Sequence, residues 1–223
     1  MRMFFGIRSL AVAVLLLAAA GVVLPVVAED VAAKGGGRYI IVAAVPQETK
    51  GLSAFAPVVH TGVGKVSAAI ALFEAVNKYR PSLVINYGSA GAVGGLVGLH
   101  RVDTFVERDM DARALGFARG VAPFSAEGLP PAEGIVLGSG DSFVTDIGEL
   151  EGLDIRIDLV DMEGFALHKV CRRLGIDFAA YKYVSDDADD EAAGDWEVNA
   201  AKGAALFAEV LRKEYGKSSL LNQ

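Results

Sequence analysis

Pro81–Val93 reads PSLVINYGSAGAV. Ser82–Tyr87 reads as a buried strand, the next after the short, continuous apolar run of Arg38–Val45, which is expected for a strand buried on both faces of a helix-covered sheet. Gly88-Ser89-Ala90-Gly91 follows at once. It is expected to form a tight strand-to-loop turn that lets a ligand approach backbone N–H groups, with Ser89 as a polar contact. Just upstream, Gly64–Tyr79 (GKVSAAIALFEAVNKY) repeats apolar residues at Val66, Ile70, Phe73 and Val76, a helical period that Arg80-Pro81 ends. The same alternation runs through the chain. Arg38–Val45, Pro57–His60, Val102–Val106, Glu133–Leu137, Leu159–Met162 and Phe178–Val184 read as strands. Glu163–Leu174 reads as a helix and Asp195–Tyr215 as one long terminal amphipathic helix, started by Asp195. This order indicates an α/β protein with three layers, a sheet between helices.

The 223 residues are 52% hydrophobic with a formal charge of −7, which suits one domain with a sizeable core. An acidic chain without a basic block is a poor general nucleic-acid binder, because phosphate contacts need clustered Lys and Arg. Residues 1–28 differ from the rest: Arg2 and Arg8 precede an uncharged run from Leu10 that ends in Val26-Val27-Ala28. That pattern is a secretory signal peptide cut after Ala28, and it predicts an exported, periplasmic protein without stable membrane association; the alternative is an uncleaved membrane anchor. Residues 29–37, ending in three glycines, read as a linker to a domain over 38–223. Cys171 is the only cysteine, so no disulfide forms within the chain, and its apolar helical setting makes it a buried small hydrophobe.

Candidate chemistry lies mainly where strands end, since open α/β sheets bind ligands beyond the carboxyl ends of their strands. Glu48 follows the first strand, as a ligand-site carboxylate or a surface acid at a helix start. Asp161-Met162-Glu163 sits where a strand gives way to a helix; a carboxylate there could accept two hydrogen bonds from a diol or simply favour the helix start. Tyr183–Trp196 carries six acids, beginning with Asp186 after Ser185. Gly62–Lys65 lacks the frame of a phosphate loop, since Val59 and Val66 stand where Gly and Ser or Thr are needed. His60, His100, which reads as loop, and His168 lack zinc-ligand spacing, and the acidic stretch lacks a calcium-loop frame. No metal and no cofactor are expected.

Several blocks in this order carry a family resemblance: Glu48 after the first strand, TGVGKVSAAIAL, PSLVINYGSAGAV, ERDMDARALGF, LGSGDSFV, DLVDMEGFALHKVCRRLGIDF and YVSDDAD. Together they resemble the 5′-methylthioadenosine/S-adenosylhomocysteine nucleosidases of the purine nucleoside phosphorylase superfamily, over roughly Arg38 to Tyr215. The resemblance implies a phosphorylase/hydrolase-like sandwich with a central mixed β-sheet and a small purine nucleoside as the partner. It implies that Asp186 protonates purine N7 and that Glu48 orients or deprotonates the attacking water. Glu163 would bind the ribose hydroxyls, Met162 would pack on the sugar, and Ser89 would hold water or hydroxyls. Phe143 would stack on the base, with the backbone of Val144 reading its edge; plain core packing is the alternative for Phe143. Family members commonly pair, so a homodimer is expected.

Phosphorolysis is the rival reaction. Phosphate calls for cationic groups, yet Asn86-Tyr87 and Pro46-Gln47-Glu48 occupy two places where a phosphorylase would carry Arg. A carboxylate there suits water. A nucleoside-binding protein without turnover is the third possibility, disfavoured by the joint presence of Glu48, Glu163 and Asp186. The segment Thr49–Val59 is shorter than the family's usual one, which implies a trimmed helix and hairpin.

Overall fold

The structure is a computed structural model, and it describes residues 37–125 and 127–222. The signal peptide expected over 1–28, and all of the expected linker but Gly37, lie outside the described residues.

Eight strands form one sheet: β1 Tyr39–Ala43, β2 Val58–His60, β3 Leu83–Ala92, β4 Leu99–Val102, β5 Thr104–Glu107, β6 Val136–Ser139, β7 Leu159–Asp161 and β8 Asp177–Asp186. The order is β2-β1-β3-β7-β6-β5, and β8 pairs with both β3 and β4. β3 runs parallel to β1 and β8 but antiparallel to β7, and β4 is antiparallel to β8, so the sheet is mixed.

Alternate residues of β1 feed the two faces. Ile40 and Val42 pack with Val84 against Ala68, Leu72 and Ala75 of α1 (Lys65–Tyr79) and Leu167 and Cys171 of α2 (Gly164–Leu174). Tyr39 and Ile41 pack with Ile85 and Tyr87 against Ala204 and Phe207 of α4 (Ala204–Val210), and against Leu211 and Tyr215 beyond it. Helices therefore cover both faces, giving the expected three layers. α3 (Ala192–Asn199) packs beside the end of β8. No helix among the described residues is long and apolar enough to cross a membrane.

Several local expectations need correction. Gly88–Gly91 is not a turn: β3 continues through it to Ala92, paired with β8 on one side and with β7 at its end. The run expected as one strand over Val102–Val106 is split at Asp103 into β4 and β5, and His100 lies on β4 rather than in a loop. Glu133 is exposed loop, and β6 starts at Val136. The long terminal helix is broken between Asn199 and Ala204, and Gly203 in the break lies so close to the Tyr183 ring and the Tyr87 hydroxyl that a side chain would not fit. Asp195 does not start a helix; it lies in the first turn of α3, whose N-cap is Glu191. Between Glu48 and β2 the chain makes only two short 3-10 turns, Pro46–Thr49 and Leu52–Ala54.

Most of the apolar repeat that marks α1 is not on the face it buries. Val66, Ile70 and Phe73 are 70%, 57% and 54% exposed, while Ala68, Leu72 and Ala75 meet the sheet and Val76 alone of the repeat packs beside them.

Candidate active site

Strand ends converge on a cavity of about 200 Å³. All seven residues singled out from the sequence line it: Glu48, Ser89, Phe143, Val144, Met162, Glu163 and Asp186. They come from five separate segments, and the sheet brings them together.

Glu48 sits in the 3-10 turn just after β1 and is buried. Its Oε1 accepts from both the backbone N and the Oγ of Ser89, each at 2.7 Å. Its Oε2 accepts from Val45 N at 3.3 Å. Ser89 presents both donors because β3 stays extended through the glycines. Gly88 leaves room for this arrangement: a Cβ there would lie 3.2 Å from Glu48 Oε1 and 3.4 Å from Lys182 Nζ.

Asp186 ends β8. Pairing with β3 shifts register between Ala90 and Gly91, leaving Ser185 as an extra residue, and such a bulge re-aims the side chains after it. Asp186 Oδ2 accepts from Ser185 Oγ at 2.7 Å and Oδ1 from Ala188 N at 3.1 Å. Burial raises its pKa against the lowering effect of those two hydrogen bonds. The other acids of the stretch, Asp187, Asp189, Asp190, Glu191 and Asp195, are exposed. Among the described residues no group of three or more metal-ligating side chains is assembled.

Glu163 is the N-cap residue of α2, yet its side chain does not cap that helix. Oε1 accepts instead from Gly64 N, at the start of α1, at 2.9 Å. Asp161 takes the capping role, its Oδ2 accepting from Gly164 N at 2.9 Å. Burial, then the neighbouring Asp161 carboxylate, push Glu163 up to a pKa of about 7, with Lys182 opposing. Phe143, 42% exposed, stands at the cavity with the buried Val144 beside it. The exposure argues against Phe143 as a plain core residue.

Three residues that sequence reading passed over also belong to the site. Lys182 is buried on β8 and pairs with Asp161 Oδ2 at 2.8 Å. Burial works against its charge, but Asp161, Glu163 and Glu48 outweigh it and raise its pKa. A lone Lys in the apolar run FAAYKYV was the available signal. Arg108 is buried against the cavity and donates from Nη1 to Ser142 Oγ at 3.1 Å, while its Nε has no partner among the described residues. Trp196, on α3, lines the cavity and donates from Nε1 to Ser89 Oγ at 2.9 Å. Cys171 is fully buried away from the cavity, and desolvation pushes its thiol up to about 12, which suits a packing residue.

The arrangement offers a carboxyl able to hold a proton, a second carboxylate fixed by two donors, and a third at a helix start, around apolar walls. Known proteins share the fold. The fold resembles a nucleosidase of this type from Colwellia psychrerythraea solved with adenine (TM-score 0.70, 21% identity, 82% of this chain and 97% of that one). It equally resembles a futalosine hydrolase from Helicobacter pylori (TM-score 0.67, 20% identity, 83% and 97%). In sequence, a 5′-methylthioadenosine/S-adenosylhomocysteine nucleosidase from Exiguobacterium sp. is 31% identical over 165 residues, 60% of this chain and 69% of that protein. One from Shewanella baltica is 29% identical over 195 residues, 73% and 81%. The phosphorylase superfamily model matches residues 98–213. On these matches the chain belongs to the phosphorylase superfamily and, within it, to the 5′-methylthioadenosine/S-adenosylhomocysteine nucleosidase family of N-glycosidic hydrolases.

Proposed function

We propose that the protein hydrolyses the N-glycosidic bond of 5′-methylthioadenosine, S-adenosylhomocysteine or a related purine nucleoside. The observation that carries this reading is the convergence of three buried carboxyl groups, Glu48, Glu163 and Asp186, on one cavity. In the proposed reaction the C1′–N9 bond breaks with its electron pair going to the base. Asp186 gives its proton to N7, so the base leaves neutral while the ribosyl group gains oxocarbenium character. Water attacks C1′ and its proton passes to Glu48. Glu163 accepts from the ribose hydroxyls, Met162 packs on the sugar, and Phe143 stacks on the purine while the backbone of Val144 meets its edge. Ser89 holds Glu48.

The Glu48 carboxylate, held in the cavity by Ser89, supports water over phosphate as the attacking group because it would repel an anion. The Lys182 ammonium is already paired with Asp161. Purified protein incubated with 5′-methylthioadenosine in phosphate-free buffer is expected to release adenine. Release only after phosphate is added would overturn hydrolysis, and tight binding without release would favour a binding protein.

The protein is further proposed to be exported to the periplasm with residues 1–28 removed, a point mass spectrometry of the native protein decides. It is also proposed to act as a homodimer, supported by the exposed apolar side chains on α1.

A further inference from the structure

The two oxygens of Glu48 are unlike. Oε1 takes two donors from Ser89 at 2.7 Å, whereas Oε2 meets Val45 N at the longer 3.3 Å. Ser89 Oγ in turn accepts from Trp196 Nε1 at 2.9 Å. The direction of this relay is fixed by chemistry: an indole N–H only donates and an ionised carboxylate only accepts. The single hydroxyl proton of Ser89 therefore points to Glu48. With the indole N–H on its oxygen, that hydroxyl has one favourable orientation, and successive bonds in such a chain strengthen one another.

We propose that Trp196 is a positioning residue for Glu48, acting through Ser89, and that Oε2 is the oxygen that takes the proton of the attacking water. Oε1 is committed to its two donors, while Oε2 keeps lone-pair capacity. As the water's O–H bond breaks and its oxygen bonds to C1′, the proton goes to Oε2; Ser89 and Trp196 keep theirs. Trp196 stands on α3, the helix that follows Asp186, so one stretch of chain supplies the acid and steadies the base. Phe in its place would keep the ring against the cavity and donate nothing. This role rests on the nucleosidase reading above.

Trp196 is the only tryptophan in the chain, which makes the relay measurable by two methods. Trp196→Phe and Ser89→Ala are each expected to lower kcat roughly fivefold to tenfold, the loss of about one hydrogen bond, with KM within about twofold of wild type. The double variant is expected to be no slower than Ser89→Ala alone, because both changes cut the same chain. If Trp196→Phe costs the same factor in both backgrounds, or raises KM with kcat unchanged, Trp196 only packs and the proposal fails. Ser89→Ala, which retains the indole, is expected to shift tryptophan emission to the blue as Nε1 loses its acceptor; unchanged emission overturns the hydrogen bond itself. A wild-type protein that releases no base overturns the nucleosidase reading and the positioning role of Trp196 with it, and the emission experiment still decides the bond.

Discussion

Asp186 and Glu163 are both buried carboxyl groups with raised pKa values, yet the proposed reaction asks opposite things of them. Asp186 must enter protonated, and burial favours that form. Asp186→Asn keeps the shape and loses the transferable proton, so kcat is expected to fall by at least about 100-fold with the thermal unfolding midpoint nearly unchanged. Asp189→Asn, at an exposed neighbour, is expected to leave both alone; comparable losses in the two variants would refute the assignment. Glu163 must instead be ionised to accept from a diol. With its pKa about 7, the carboxylate fraction falls as pH drops below 7. KM is therefore expected to rise by up to about tenfold per pH unit below that point, and Glu163→Gln, which cannot ionise, is expected to flatten the dependence. A steady KM from pH 7 to pH 5 in the wild-type protein would place another group on the sugar.

Elements were legible where their period was strong, and their edges were not. β1, β7 and most of β8 lie where apolar runs place them, because a strand buried on both faces leaves an unbroken hydrophobic signature; the half-exposed β2 is also found where expected. Gly88–Gly91 misled because glycine permits a turn without requiring one; neighbours on both sides of β3 hold it extended. The terminal helix misled because its apolar repeat continues across Gly203, whereas α3 ends at Asn199 and α4 starts at Ala204. Individual carboxylates of the site were readable from strand ends and family motifs, and a lone Lys in an apolar run was a signal for Lys182, but the partners through which Lys182 and Trp196 act are distant in sequence and no local pattern names them. Gly91 shows how tightly the extended β3 is fitted to the acid. A Cβ there would lie 2.6 Å from Asp186 Oδ1 and 3.1 Å from Ala188 Cβ and Val160 Cγ2. Gly91→Ala is expected to destabilise by about 1–3 kcal/mol in urea unfolding and to reduce kcat as Asp186 is displaced. Wild-type kcat in that variant would mean the acid tolerates movement.

For the whole molecule, the informative feature is what one chain leaves uncovered. Val66, Ile70 and Phe73 recur at helical spacing on one side of α1 and are each more than half exposed, while Val63, 51% exposed, both precedes this stripe and lines the cavity. Apolar side chains grouped in one stripe, rather than scattered, mark a surface meant to be covered. A second copy is the simplest cover, since most oligomers are symmetric pairs that bury the same patch from each partner. Covering it from Val63 to Phe73 would also shield the cavity mouth. Ile70→Glu sets a charge in the middle of that patch, and because Ile70 is outside the core, the single chain is expected to lose no more than about 0.5 kcal/mol. Light scattering on the eluted protein is expected to give twice the chain mass for wild type and the single-chain mass for Ile70→Glu. If the neighbour closes the cavity, KM of the variant rises more than kcat falls, because lost cover weakens binding of substrate before it disturbs Asp186 or Glu48. Equal masses for both proteins would free α1 from any role in pairing and leave its apolar stripe facing solvent.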